Sequence, residues 1–226
     1  MNTLEIKTIE KITPDVLQIR TNKPEGLEFK PGQATELFIK KENWEEQGRP
    51  FTFTSLPDDS DLEFVIKTYT SHDGVTDKLL DLKVGDELLQ NEIFGNIYFR
   101  GEGTFIAGGA GLTPLIAILR DRQRNGGNET NKLIFANKTS KDIILKDELR
   151  EMLSDRFINI LSDEKTEEFA YGHIDESFLK QHIINLNQKF YVCGPDPMIE
   201  SVVSDLKALG VENENIIIEG KSKSIV

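Results

Sequence analysis

The hydrophobic pattern of the chain changes near residue 100, and that change constrains the fold more than any single motif. Before it, apolar residues come in short alternating runs: Leu4, Ile6 and Ile9; Val16, Leu17 and Ile19; Leu37 and Ile39; Leu62, Phe64 and Ile66. Alternation puts every second side chain on one face, the pattern of strands buried on one side only. Turn-forming residues separate the runs at 22–26, at Pro31-Gly32 and at Pro57-Asp58-Asp59, as in a small antiparallel sheet or barrel. One helix is expected within this half, over residues 75–82, where Val75, Leu79, Leu80 and Leu82 recur at helical spacing and Gly85 follows.

After residue 100 the pattern becomes strand, helix, strand, helix. Continuous apolar runs predict strands at 104–107, 132–136, 157–161, 189–193 and 216–218, with helices over 114–124, 145–153, 175–184 and 197–209. That alternation predicts a parallel sheet covered by helices on both faces. The chain therefore reads as two domains, an antiparallel β-barrel over 1–100 and an α/β nucleotide-binding domain over 101–226, joined by a short link at 99–103. In open parallel sheets ligands bind beyond the carboxyl ends of the strands, which directs attention to the loops after Ala107, Ala136 and Cys193.

Composition narrows the chemistry. One cysteine and three histidines cannot build a four-thiolate cluster, a cysteine-rich zinc site or an internal disulfide, so no metal site is expected and any redox chemistry must come from an organic cofactor. A net charge of −12 opposes nucleic-acid binding. No run approaches the roughly 20 apolar residues of a membrane span, and the first residues lack the apolar block of a secretory signal, which together predict a cytoplasmic protein.

Three local features carry chemistry. Phe105-Ile106-Ala107 runs into Gly108, Gly109 and Gly111, then Leu112, Thr113 as the expected N-cap, and Pro114 in the first helical turn. Backbone without side chains can approach a pyrophosphate, and the helix start favours its charge. Gly48-Arg49-Pro50-Phe51-Thr52 places a forked guanidinium and an aromatic on one face of a strand and a hydroxyl on the other. Taken alone, it reads first as an ordinary strand with an arginine at its mouth. Val192-Cys193-Gly194-Pro195 turns sharply at the end of an apolar strand, which would expose Cys193 beside a ligand bound there; a lone cysteine in an apolar strand is also a common core residue.

In order along the chain, Arg49-Pro50-Phe51-Thr52, Gly74-Val75-Thr76, Gly109-Ala110-Gly111-Leu112-Thr113-Pro114 and Tyr191-Val192-Cys193-Gly194-Pro195, with Met198 beyond, resemble the ferredoxin–NADP reductase superfamily, in particular its small bacterial flavodoxin or ferredoxin reductase-like members. The resemblance implies an FAD-dependent NAD(P)H oxidoreductase that hands electrons to a separate one-electron carrier. Arg49 and Pro50 would lie along the FAD pyrophosphate, Phe51 against the flavin or its ribityl chain, and Thr52 at flavin N5. Ile66, Lys67 and Tyr69 would line the cofactor, while Gly74, Val75 and Thr76 would take its second phosphate. Gly109, Gly111, Leu112 and Thr113 would hold the NAD(P)H pyrophosphate, and Cys193, Gly194 and Pro195 would seat the nicotinamide, with Thr52 and Cys193 flanking the reacting atoms. Glu92-Ile93-Phe94-Gly95 departs from the Gly-Pro-x-Gly turn that the family carries at this place, and the tail from Glu219 lacks the family's closing aromatic, which implies easier access of nicotinamide to the flavin.

Lys138 and Lys141 in the loop after the second parallel strand tilt the reading to NADPH, although both could simply solvate the loop. Lys40, Lys41, Arg49, Lys67, Lys78 and Lys83 would form a positive face for an acidic flavodoxin or ferredoxin. Release of reduced flavin as a product, or service as an electron-transfer or regulatory subunit of a larger complex, remain open from the residues alone.

Overall fold

The computed structural model describes residues 1–70 and 74–218. Strands β1 (Asn2–Thr13), β2 (Val16–Asn22), β3 (Ala34–Ile39), β4 (Arg49–Thr52), β5 (Asp61–Lys67) and β6 (Glu87–Phe94) form an antiparallel sheet in the order β4-β3-β6-β1-β2-β5. Its two end strands are consecutive in the chain. Just past β4, the Thr54 N–H donates to the Glu63 carbonyl on β5 at 2.9 Å, which curls the sheet into the expected barrel. The alternating residues face inward: Leu4, Ile6, Leu17, Ile19, Leu37, Ile39, Leu62, Phe64 and Ile66 share one core with Phe29 and Phe53.

The expected helix at 75–82 begins as α1 (Val75–Lys78) and tightens into a 3-10 turn at Leu79–Asp81; Val75, Leu79 and Leu82 close the barrel core. Glu92, Ile93 and Phe94 finish β6 as strand, and the chain turns at Gly95, whose φ of 106° suits glycine.

The second sheet is wholly parallel. Strands β7 (Gly103–Gly108), β8 (Lys132–Asn137), β9 (Phe157–Leu161), β10 (Ala170–Tyr171), β11 (Lys189–Cys193) and β12 (Ile216–Ile218) lie in the order β10-β9-β8-β7-β11-β12. Helices α2 (Leu112–Asn125) and α3 (Lys146–Leu153) bury Leu115, Leu119, Leu149 and Leu153 on one face. Helices α4 (Glu176–His182) and α5 (Asp196–Ala208) bury Phe178, Leu179, Val202 and Leu206 on the other. The strand order reverses between β7 and β11, so the loops after these two strands flank the switch point where such sheets bind ligands.

The two sheets share a core. Side chains on β2 and β5 that point away from the barrel interior, Val16 and Val65, join Ile97 in the apolar cluster of α2 and α3. The same outer face carries Arg20 and Glu63, which stand opposite each other in register. Glu63 is 5% exposed, and its carboxylate accepts from Arg20, Gln18, Thr54 and, across the domain interface, Arg120 of α2 at 2.6 Å. Arg120 also donates to the Thr54 carbonyl at 2.7 Å and forks onto both oxygens of Glu148 on α3 at 2.6 and 2.8 Å. One turn further along α2, Arg124 meets Asp59 at 2.8 Å.

The link between the sheets is pinned by Tyr191 on β11. Its hydroxyl accepts from the Arg100 N–H and donates to the Gly101 carbonyl, both at 2.7 Å, while its ring stacks on Phe105 at 4.3 Å. Burial pushes the Tyr191 phenol above its ordinary pKa, so the hydroxyl keeps the proton it donates.

Two outcomes follow. Tyr191→Phe strands two backbone groups of the link and should lower unfolding stability by about 1–3 kcal/mol in urea titrations. Burial opposes ionisation of Glu63, but the Arg120 charge and the bonds from Arg120, Arg20 and Thr54 outweigh it and hold the carboxyl below its usual range. A lowered native pKa stabilises the fold at pH values above the unfolded-state pKa, and that contribution disappears as the pH falls through the native one. The urea midpoint of the wild type should therefore fall more steeply below about pH 4.5 than that of Glu63→Gln.

Candidate functional site

A cavity of about 1090 Å³ lies between the two sheets. Asp15, Val16, Lys67 and Tyr69 wall it on the barrel side. Gly109, Gly111, Asn137, Lys138, Cys193, Gly194 and Pro195 wall it on the parallel-sheet side. It therefore opens at the switch point between β7 and β11, as the sheet topology requires.

The glycine-rich turn has two separable reasons for its composition. A Cβ on Gly111 would sit 2.3 Å from the Cys193 carbonyl oxygen, so this glycine lets the turns after β7 and β11 touch backbone to backbone. Gly109 adopts a φ of 52°, and a Cβ there would meet nothing within 4 Å. The first glycine serves packing; the second leaves bare backbone beside open space. The turn itself is a 3-10 segment, Gly109–Gly111, leading directly into α2. Thr113 is not the N-cap that the sequence suggests: Gly111 holds that position, and the Thr113 hydroxyl donates to the Ala110 carbonyl at 3.1 Å from inside the first turn. The extra tight turn moves the helix start forward by about half a turn.

Cys193 is 5% exposed, so the sharp turn that follows leaves it in the cavity wall rather than openly exposed. Leu112 is fully buried under the turn. Lys138 is exposed at the rim, and Asp142, which lines the same cavity, accepts from the Thr139 N–H and hydroxyl at 2.8 and 2.7 Å. The neighbouring Glu164 accepts from the Ser140 N–H at 2.6 Å, and that bond, followed by the Ser140 side chain and the charge of Lys141, holds its carboxyl below the usual range.

On the barrel side the sequence-derived residues divide. Lys67 and Tyr69 reach the cavity, Lys67 paired with Asp15 at 2.8 Å and Tyr69 half exposed. Ile66 points into the barrel core, so only its backbone is available to a ligand. Arg49, Pro50, Phe51 and Thr52 form β4 outside this cavity: Arg49 and Pro50 are exposed, Phe51 is half buried against the barrel core and Thr52 is 9% exposed. The guanidinium of Arg49 donates to the Gly48 carbonyl at 2.7 Å. Gly74 precedes the first turn of α1 and Thr76 is half buried within it, while Val75 is committed to the core. The tail from Glu219, on which easier nicotinamide access was expected, lies outside the described residues.

The lysines expected to form a positive face are mostly matched by carboxylates: Lys40 by Glu87 at 2.9 Å, Lys41 by Asp86 at 3.0 Å, Lys67 by Asp15 and Lys78 by Asp81 at 3.5 Å. Each pair cancels much of the local field.

Sequence reasoning missed Asn137. It ends β8, lines the cavity and is 8% exposed, yet among the described residues its side-chain amide meets no hydrogen-bond partner. A polar residue closing the apolar run Leu133-Ile134-Phe135-Ala136 was the available signal. An orphaned amide and the bare Gly109 backbone on one cavity wall fit a polar, nucleotide-sized ligand.

Comparison with known proteins agrees with this geometry. A family described as "FAD-binding domain" matches residues 1–92, and one described as "Oxidoreductase NAD-binding domain" matches 105–204. The reductase component of propane 2-monooxygenase from Gordonia sp. (strain TY-5) is 29% identical over 95% of this chain and 66% of its own length. NADH-cytochrome b5 reductase 1 from Aspergillus terreus is 31% identical over 70% of this chain and 60% of its own. The chain thus spans under two thirds of either relative. The flavohem-like FAD/NAD binding domain of nitric oxide dioxygenase from Vibrio cholerae superposes with a TM-score of 0.86 at 20% identity, covering 96% of both chains. The two family matches make this chain an FAD-binding domain followed by an oxidoreductase NAD-binding domain, in the same fold as that solved FAD/NAD binding domain and with ordered motifs that resemble the ferredoxin–NADP reductase superfamily.

Proposed function

We propose that the chain oxidises NAD(P)H on FAD and passes the electrons to a separate one-electron carrier. The observation that carries this reading is the cavity between the sheets, walled by the barrel on one side and by both switch-point turns on the other. Bound together, NAD(P)H and FAD would supply a two-electron hydride transfer and the later division of that pair into single electrons. The protein's part is to hold, orient and shield.

On this reading Arg49 and Pro50 hold the FAD pyrophosphate, Phe51 packs on the flavin, and Thr52 presents its hydroxyl to the reacting edge. Gly74, Val75 and Thr76 support the second phosphate, and the 66–69 segment lies along the cofactor. Gly109, Gly111, Leu112 and Thr113 form the pyrophosphate turn for NAD(P)H, with Asn137 supplying an amide that meets no partner among the described residues. Cys193, Gly194 and Pro195 form the shelf for the nicotinamide. The barrel domain ends at residue 100.

For the donor, the observations favour NADH over the NADPH suggested by Lys138. Asp142 shares the cavity with that lysine, and Lys141 has Glu164 as a counter-charge. Several relatives carry NADH in their names. A 2′-phosphate beside Lys138 would also meet the Asp142 carboxylate, whereas ribose hydroxyls could donate to it.

For the acceptor, flavodoxin or ferredoxin remains the class proposed, but long-range steering should be weak because the candidate lysines are paired.

Protein purified with FAD should be yellow, keep its flavin on gel filtration, and bleach on adding NADH without oxygen. A colourless protein that FAD does not reconstitute would contradict the reading. The ratio of kcat/KM for NADH to that for NADPH should exceed about tenfold; a ratio below one restores the lysine reading. Charge reversal of Lys40 and Lys41 together should alter carrier reduction by less than about threefold and leave ferricyanide reduction unchanged.

A further inference from the structure

We infer that Arg120 is a positioning residue for hydride transfer: clamped between Glu63 of the barrel and Glu148 of the parallel-sheet domain, it fixes the angle at which the two walls of the cavity face each other. The inference rests on the proposed function and adds the element that sets its geometry.

The connection is short on both sides. On the parallel-sheet side, α2 begins at Leu112, immediately after the glycine turn that walls the cavity, and Arg120 stands eight residues along it, about 12 Å by helical rise. On the barrel side, Lys67 walls the cavity and Glu63 precedes it by four residues on the same strand, about 13 Å by strand rise. The cavity walls are thus the far ends of two stiff arms that meet at the buried Arg120 clamp, with the more exposed Arg124–Asp59 pair one turn further along α2.

That joint is directional. The apolar contact between domains, through Val16, Val65 and Ile97, resists separation but tolerates sliding. Arg120 does not. Its guanidinium makes two bonds into the barrel, to Glu63 and the Thr54 carbonyl, and two to Glu148. Thr54 is also the residue whose N–H closes the barrel onto β5, so Arg120 grips the barrel at its seam. Glu63 is held in turn by Arg20, Gln18 and Thr54, which leaves its carboxylate little freedom to follow a displaced partner. The Arg120 side chain is 17% exposed and that of Glu63 7%, so solvent screens the pair weakly. Both groups stay charged across the neutral range: burial opposes ionisation in each, and the partner carboxylates on Arg120, like the guanidiniums on Glu63, outweigh it.

A swing of about 5° about this joint moves the end of a 12 Å arm by about 1 Å, and a misplacement of that size can slow a reaction on the order of a hundredfold. Binding sites lying wholly within one domain would be unaffected. The expected signature is a loss in kcat with little change in KM.

The test uses the full chain loaded with FAD. In Arg120→Lys and Glu63→Gln, flavin affinity and KM for NADH should stay within about twofold, while flavin bleaching in anaerobic stopped flow slows by about 10–100-fold. Glu148→Gln, which leaves the bonds to the barrel, should slow it less and serves where the other variants fold poorly. Arg150→Gln on the exposed side of α3 should transfer at the wild-type rate. In the nucleotide-free protein, hydrogen exchange should rise around Thr54 and Glu63 in the clamp variants and not around β8 and β9. Loosened exchange with wild-type bleaching rates would overturn the inference, leaving the clamp as a stabilising contact only. So would a parallel loss of flavin affinity, KM and kcat. A wild-type protein whose flavin NADH does not bleach contradicts the functional reading itself, a separate result.

Discussion

A carboxylate buried between two domains is the constraint on which this architecture turns. Glu63 lies on the barrel face that meets the parallel-sheet domain, and a charge at that depth is tolerable only when donors surround it. Arg20 and Gln18 come from the facing strand, Thr54 from the barrel seam and Arg120 from the neighbouring domain. The requirement couples domains whose remaining contacts are an apolar cluster and the more exposed Arg124–Asp59 pair. It also explains why the interface carries charge at all: apolar residues would hold the two bodies together without fixing their angle.

From that joint the structure runs to the cavity by rigid elements. Helix α2 leads back to the Gly109–Gly111 turn, β5 leads forward to Lys67, and Tyr191 pins the link between sheets to the central strand β11. The turns after β7 and β11 touch through Gly111, so the glycine turn proposed for the pyrophosphate and the Cys193 turn proposed for the nicotinamide form one surface. The chemistry assigned to the bound cofactors then asks of the protein only placement and exclusion of water, which a stiff frame supplies.

Much of this was legible in the residues. The strands at 157–161, 189–193 and 216–218 match the structure because strands buried on both faces read as unbroken apolar runs. The barrel core followed from simple alternation. The start of α2 was displaced because Thr113 followed by Pro114 imitates a capped helix start, while the 3-10 turn ahead of it leaves no side-chain signal. The clamp was invisible for a different reason. Glu63 alternates with Leu62 and Phe64, and Arg120 sits on the polar stripe of an amphipathic helix, so each reads as a solvated charge until the domains are brought together. The lysines of the expected positive face failed likewise: their carboxylate partners are remote in sequence for Lys40, Lys41 and Lys67. Of the proposed site residues on the cavity wall, the glycine and Cys193 turns are read from turn chemistry and Lys67 and Tyr69 from the family resemblance, while Asn137 is passed over because one polar residue at a strand end is commonplace.

The most direct test of the central claim is a crystal structure of the protein with FAD and NAD+ bound. The nicotinamide C4 should lie about 3–3.5 Å from flavin N5, between Thr52 and Cys193, with the Arg120 bonds to Glu63 and Glu148 intact. A nicotinamide seated away from the Cys193 turn, or a flavin bound elsewhere than between β4 and the cavity, would contradict it.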